Sequence, residues 1–534
     1  MVAMSRYITF ALVSLSALAV TALALQWSVL FWLAVPLIAL SLLGVWDVTQ
    51  SEHSLLRNYP VLGHMRWLFE GIRPEIRQYL IENDRDEVPF SREQRALVYQ
   101  RAKDEEDRRP FGTREDVYAA GYAWLTHSLA PVAVRDFDHD FRVTIGGPQC
   151  RQPYDASVYN ISAMSFGALS GNAIEALNKG AKAGGFAHDT GEGGISRYHC
   201  HGGDLIWEIG SGYFGCRDKN GDFDPERFAD QVGEPQVKMI EVKLSQGAKP
   251  GHGGVLPGDK VTAEIAAARG VPAGQDCVSP SAHSAFATPL EFMHFIDRLR
   301  RLSEGKPVGF KLCIGHRWEF MAIVKAMLET GIRPDFIVVD GKEGGTGAAP
   351  LEFANHVGTP LADGLTFVRN VLIATNLRDE IKIGAAGKLV SAFDILWAHA
   401  LGADWCNSGR GFMFALGCIQ AQACHTNRCP VGVATQDPLR QRALVVPDKA
   451  ERVARFHAST RHALAEIVGA CGFTHPNELA PWHLMVRQKS GEVLAADRAY
   501  PLLRQGELTD GTCTHPDYVS DWNRAATDRF APAA

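Results

Sequence analysis

Basic residues are in deficit here: 54 Lys and Arg stand against 60 Asp and Glu, a formal charge of −6 over 534 residues. Nucleic-acid-binding proteins normally carry the opposite surplus to meet phosphates, so nucleic acid is set aside as a partner. Cysteine is scarce, 11 in all, which excludes a disulfide scaffold. Eight of the thiols are scattered along the chain and read as small buried apolar groups. With 51 Gly and only 27 Pro there is no collagen-like or disordered bias. No strand-like run is followed by G-x-G-x-x-G and then an acidic residue at dinucleotide-binding distance. A nicotinamide-binding fold is therefore not expected. The length favours more than one structural unit.

What is present begins with an apolar stretch. From Tyr7 to Trp46 no Asp, Glu, Lys or Arg occurs, and the stretch divides into Tyr7 to Leu25 and Ser28 to Trp46. A membrane helix takes about 20 apolar residues, so residues 1–50 are expected to form a transmembrane helical hairpin, preferred over a cleaved signal peptide because a second span follows at once. Arg6 lies before it and Arg57, Arg66, Arg73 and Arg77 after it, with no Lys or Arg in the turn. That asymmetry puts both ends, and the catalytic domain, on the cytoplasmic side of the inner membrane. Residues 51–150 read as a helical juxtamembrane extension. Within it, Leu55 to Leu80 suits an amphipathic helix on the leaflet or an ordinary surface helix, and Lys103 to Arg109 a solvated helix face.

From about residue 155, short apolar runs ending in Gly- or Ser-rich loops alternate with longer helical stretches, the pattern of βα units. The runs are Val158 to Ala163, Phe186 to Thr190, Met239 to Lys243, Asp276 to Ser279, Val308 to Leu312, Phe336 to Asp340, Ile381 to Ala385 and Asp404 to Asn407. Eight such units predict an α/β fold of the (β/α)8 TIM-barrel type over residues 151–440, with chemistry at the C-terminal ends of the strands and phosphate held after strands seven and eight. The loops there, Gly384-Ala385-Ala386-Gly387-Lys388 and Ser408-Gly409-Arg410-Gly411, suit a phosphate: small residues let backbone N–H groups approach, and Lys388 or Arg410 supplies charge. Lys311, ending the fifth run, stands at a depth where a cation meets the pyrimidine ring of a flavin, unless it is a surface lysine with a snorkelling stem.

Cys418-x5-Cys424-x4-Cys429-Pro430 is the one dense thiol cluster. Three thiolates followed by proline suit a three-iron four-sulfur cluster; a zinc site completed by His425 and unrelated core thiols are the alternatives. Residues 441–534 form a C-terminal extension with a polar helical stretch, Asp448 to Gly469, that braces the barrel or an interface.

Taken together, SAMSFGALS (Ser162 to Ser170), GEGG (Gly191 to Gly194), SQGAKPG (Ser245 to Gly251), GGTGA (Gly344 to Ala348) and CHTNRCPVGVATQ (Cys424 to Gln436) closely resemble the FMN-containing synthase domain of glutamate synthase. With its apolar N-terminus, the chain looks like the stand-alone FMN-binding members of that family. The resemblance implies an FMN-bearing βα barrel with a 3Fe-4S cluster on Cys418, Cys424 and Cys429. It also implies reductive amination: ammonia and a 2-oxo acid such as 2-oxoglutarate form an imine, and hydride from reduced FMN closes it to an amino acid. By motif, Lys249 and Arg269 would grip substrate carboxylates and Glu192 would hydrogen-bond the amino nitrogen. Ala163, Met164, Ser165, Gln246 and Lys311 would complete the FMN site with Gly384, Gly387, Lys388, Ser408, Gly409 and Arg410.

Three departures stand against that pattern. Val255 and His252 occupy positions where the family has a substrate-contacting Gln and an acid, and Lys342-Glu343 stand where it has a His-Asp pair. The chain begins Met1-Val2 and runs into the apolar stretch, so no glutaminase module is expected. The nitrogen would then be free ammonia, ammonia from a partner, or an amine such as methylamine. The electron donor would be a ferredoxin, a reductase subunit or a membrane carrier. Two other readings remain: a flavin barrel acting on 2-hydroxy acids or diphosphates, and an inactive membrane-tethered scaffold.

Overall fold

The computed structural model describes residues 6–85 and 88–533, so Met1-Val2 lies outside the described residues. The chain forms two units, up to Arg92 and from Glu93 onward.

In the first unit, helices Ile8–Ala24 and Phe31–Thr49 are joined by a turn at 25–27, with the 3-10 turn Ser28–Leu30 leading into the second helix. They lie side by side: Ser14 Oγ and Ser41 Oγ are 2.8 Å apart. Gly44 makes room for the Phe10 ring, which a Cβ there would meet at 2.2 Å. The continuous helical stretch Ser28–Thr49, 22 residues, is long and apolar enough to cross a membrane, whereas Ile8–Ala24 is shorter, at 17 residues. Helices Ser54–Asn58 and His64–Ile76 follow. The second carries no buried residue and exposes Leu68 and Phe69.

The second unit is a closed barrel of eight parallel strands: β1 (Tyr159–Ile161), β2 (His188–Asp189), β3 (Leu205–Ile209), β4 (Val237–Lys243), β5 (Val308–Leu312), β6 (Phe336–Asp340), β7 (Lys382–Ala386) and β8 (Trp405–Ser408). β8 closes on β1, with Asn407 opposite Asn160. The expected count of eight is met, but one member differs. Asp276 to Ser279 is not a barrel strand. Its Cys277–Val278 pairs antiparallel with Val255–Leu256, a small ribbon within the long β4–β5 connection. The third strand is instead Leu205–Ile209, whose charged Glu208 faces the interior and disguises a fully buried strand. The stretch 104–150 is largely not helical. The helix Arg92–Lys103 stops at the first residue of the charged run, and beyond it come one 3-10 turn, Val134–Asp136, and the strands Ala123–Leu125 and Arg142–Ile145.

The hairpin Arg142–Ile145/Tyr154–Ser157 plugs the N-terminal mouth of the barrel. Val143, Ile145, Tyr154 and Ala156 cluster with Ile206, Met239, Phe336 and Trp405 from the barrel strands. Each such apolar side chain contributes about 1.5–3 kcal/mol. Below β6, buried Asp335 accepts from Gly147 N at 2.8 Å, Val308 N at 2.8 Å and Arg300 Nη2 at 3.0 Å. The long helix Val446–Ala470 belongs to the barrel wall. It lies so close to helix Gly171–Gly184 that a Cβ on Gly180 would meet Val453 Cγ1 at 2.4 Å.

Candidate functional site

Barrel geometry gathers the motif residues at one end: Ser162–Ser165 follow β1, Glu192 follows β2, Gln246 and Lys249 follow β4, Gly344–Ala348 follow β6, and Gly387–Lys388 and Gly409–Arg410 follow β7 and β8. The two glycine motifs allow close approaches. Gly191, at φ +64°, brings its loop against the backbone of Met164 and Ser165. A Cβ on Gly254 would lie 2.5 Å from Glu192 Oε1 and one on Gly210 2.6 Å from Oε2, so the carboxylate is seated between two glycines.

Glu192 Oε1 accepts a hydrogen bond from Lys243 Nζ at 2.6 Å. Burial opposes its ionisation, but Lys243, with Arg269 and Lys311, overcomes that and holds the carboxyl below its usual range. Lys249 is only 3% exposed, and among the described residues its ammonium has no hydrogen bond or ion pair within 4 Å. Burial first, then repulsion from Lys243, lowers its pKa, against the attraction of Glu192. A buried ammonium with so little direct compensation is costly unless an anion joins it. Arg269 is anchored beneath the β1 loop, Nη2 donating to Phe166 O at 3.0 Å while Nε has no partner.

Lys311 lies inside the barrel, not on its surface. Its ammonium pairs with Glu208, and with Glu241 Oε1 at 3.4 Å. Asp189, Glu208 and Glu241 are all buried and bring carboxylate oxygens within 4.8 Å of one another. Burial, then the Asp189 and Asp340 charges, pushes the Glu241 pKa well above its usual value.

The phosphate-type loops are backbone features. Gly384 lies not in a loop but inside β7, packed on Trp405, whereas Gly387 (φ +147°) and Lys388 (φ +56°) make the turn. Burial lowers the Lys388 pKa. Ser408 ends β8 and Gly409 precedes helix Arg410–Ala415. Arg410 reaches across the loops, Nη2 donating to Thr346 O at 2.8 Å while Nη1 stands 3.9 Å from Cys424 Sγ.

Cys418 and Cys429 are buried and Cys424 is half-buried. Burial pushes the Cys418 thiol up to about 11, with Arg410 opposing and the other two thiols reinforcing the rise. The loop holding them contains three non-glycine residues with left-handed backbone, Gln420, Gln422 and Asn427, each costing about 1–3 kcal/mol unless the surroundings impose it. His425 is exposed.

Sequence reasoning missed three groups. Lys243, at the end of β4, is the partner of Glu192. His283 braces it, with Nε2 2.9 Å from Lys243 O and Nδ1 3.0 Å from Tyr213 Oη; burial brings its pKa down to about 4, so the ring is neutral. Lys260, 2% exposed, donates to Ala168 O at 2.8 Å, Cys424 O at 3.3 Å and Ala434 O at 3.3 Å, tying the β1 loop to the cysteine loop. Burial lowers it to about 8. The alternation Glu241-Val-Lys243 was the available signal for Lys243; nothing local marked the others.

The departures in DGKEGG also acquire partners. Lys342 Nζ donates to Phe353 O, and Glu343 accepts from Leu361 N at 2.9 Å, capping helix Leu361–Ala374.

Residues 146–474 match the family model described as the conserved region in glutamate synthase. The chain belongs to the glutamate synthase family. As a member it is an oxidoreductase of the FMN-dependent, glutamate synthase-like type. The glutamate synthase large subunit-like protein YerD of Bacillus subtilis is 38% identical over 87% of this chain and 96% of its own length. The archaeal glutamate synthase [NADPH] of Methanocaldococcus jannaschii is 37% identical over 58% of each chain. The flavin-binding domain of baker's yeast flavocytochrome b2 aligns over 90% of this chain and 96% of its own, at TM-score 0.42 and 12% identity.

Proposed function

We propose that this family member reductively aminates 2-oxoglutarate or a related 2-oxo acid, using FMN and a 3Fe-4S cluster, with ammonia or a small amine as nitrogen donor. The observation that carries this reading is a buried Lys249 ammonium with no hydrogen-bond partner of its own and, within its electrostatic reach at the strand ends, a Glu192 carboxylate held ionised by Lys243. Lys249 supplies the missing counter-charge to a substrate carboxylate, aided by the free Nε of Arg269. Glu192, kept anionic by Lys243, accepts an N–H from the substrate nitrogen and orients it. FMN, when bound, supplies the hydride chemistry. Ser162–Ser165, Gln246, Lys311 and the loops at Gly387 and Gly409 would hold it.

Cys418, Cys424 and Cys429 would bind the cluster as thiolates. They lie near enough to interact electrostatically, and Arg410 stands beside Cys424 Sγ. We further place the first unit at the cytoplasmic face of the inner membrane, anchored by its apolar helices.

The test is anaerobic absorbance of the detergent-purified, chemically reduced protein. Oxidised flavin bands should return on adding 2-oxoglutarate and ammonium together, and not with either alone. A flavin that stays reduced with every 2-oxo acid and amine tried would overturn the assignment.

A further inference from the structure

The first unit contains a site of its own. A cleft of about 520 Å³ opens where the apolar helix Phe31–Thr49 ends, lined by Leu43, Trp46 and Asp47 of that helix and by His53, His64 and Trp67 beyond it. That volume is in the range of small-molecule sites, about 300–1,000 Å³. At its base Asp47 is wholly buried, yet its carboxylate is satisfied: Oδ2 accepts from Val61 N at 2.9 Å and Oδ1 lies 2.9 Å from His64 Nε2. A carboxylate can only accept, so Nε2 donates to it, and in the neutral ring Nδ1 then holds a lone pair. Among the described residues Nδ1 has no hydrogen-bond partner. The Trp67 ring stands 5.8 Å from His53 and 6.1 Å from His64.

We propose that this cleft binds a membrane hydroquinone and that His64 takes a proton from it. This rests on the flavoenzyme and membrane readings above. The lining fits that ligand in three ways. The two Trp rings provide apolar walls for a flat ring, at the end of a span where Trp prefers the lipid–water boundary. Asp47 orients His64 and offsets the charge that an imidazolium would carry. No Lys or Arg lines the cleft, while Asp47 and Glu52 do, which disfavours an anionic lipid headgroup. The chain also has no nicotinamide-binding motif through which to take hydride.

The reaction balances as follows. The hydroquinone loses two electrons and two protons and becomes the quinone, its phenolic O–H bonds breaking; one proton passes to His64 Nδ1 and the other to water. The two electrons would be taken up by the oxidised flavin that the barrel residues would hold, together with two protons from solvent. His64 then releases its proton to solvent.

The experiment uses the full chain in phosphatidylcholine nanodiscs without oxygen. Decyl-benzoquinone should quench tryptophan fluorescence saturably, and His64→Gln, which keeps a donor for Asp47, should weaken that binding about tenfold, the equivalent of about 1.4 kcal/mol. Dithionite should bleach the flavin of both proteins alike, and the quinone, added once excess dithionite is removed, should return the oxidised bands of the wild type at least tenfold faster than those of His64→Gln. A second variant, Trp67→Leu, should weaken quinone binding in the same way. Quenching that does not saturate, equal behaviour of wild type and both variants, or displacement of the quinone by phosphatidylglycerol would each overturn the proposal. Absence of any dithionite-bleached flavin would instead overturn the flavoenzyme reading, and the quenching arm would still decide whether the cleft takes a quinone.

Discussion

Glu192 and Lys243 form a part-buried ion pair, Oε1 to Nζ at 2.6 Å, with side-chain exposures of 17% and 10%. Glu192 comes from the loop after β2 and Lys243 from the end of β4, and they meet where the backbone has glycine on either side of the carboxylate.

Breaking that pair has a signed pH consequence. The Glu192 carboxyl is depressed in the folded protein. Its stabilising contribution is therefore full above the unfolded value of about 4.3 and is lost as pH falls below that through the folded pKa. In Lys243→Met, burial is left less opposed and the Glu192 pKa rises, so the acid edge of a Tm-against-pH profile should move upward. Removing one partner of this part-buried pair should cost about 1.5–3 kcal/mol at neutral pH, measured by denaturant unfolding. An unmoved acid edge would show that Arg269 and Lys311 suffice.

Lys249→Met should separate stability from activity. Removing an unpartnered buried ammonium should raise the Tm of the ligand-free protein. The same change should lower kcat/KM for the 2-oxo acid by about 10- to 150-fold, corresponding to a charge-assisted bond of about 1.5–3 kcal/mol. Tm and steady-state rates on one preparation check both halves.

Gly254→Ala tests the seat of Glu192. The new Cβ would stand 2.5 Å from Oε1, so the carboxylate must shift away. Overpacking of this kind costs about 1–3 kcal/mol, while a misplacement of about 1 Å is worth about 100-fold in rate. The expected result is a folded, flavin-loaded protein with turnover reduced by that order.

Cys424→Ser and Lys260→Met address the cysteine loop differently. The first should abolish bound iron and leave flavin in place. The second keeps every thiol but removes the ammonium that three carbonyls share, so iron should bind but be lost faster to a chelator. Iron-to-flavin ratios over time distinguish the two.

Much of this architecture was legible in the sequence because parallel barrel strands are short apolar runs with glycine-rich exits, and seven of the eight runs that were read fall on barrel strands. Leu205–Ile209 was hidden by Glu208, which an interior lysine from another strand neutralises; only the folded barrel brings that lysine near. Asp276 to Ser279 has the same local pattern as a barrel strand, and what diverts it is its ribbon partner Val255–Leu256. Among site residues, those in glycine-rich motifs were found, whereas His283 and Lys260 act through backbone carbonyls distant in sequence and carry no local pattern.

The contact of Gly180 with Val453 has a consequence for biosynthesis. Helix Gly171–Gly184 buries Ile174 and Leu177, and part of its cover comes from a helix about 270 residues downstream. At about 5–20 residues per second on the ribosome, that face waits about 14–54 s for its cover. The nascent barrel thus exposes an apolar helix for most of its own synthesis, and should depend on a holding chaperone until residue 453 has emerged.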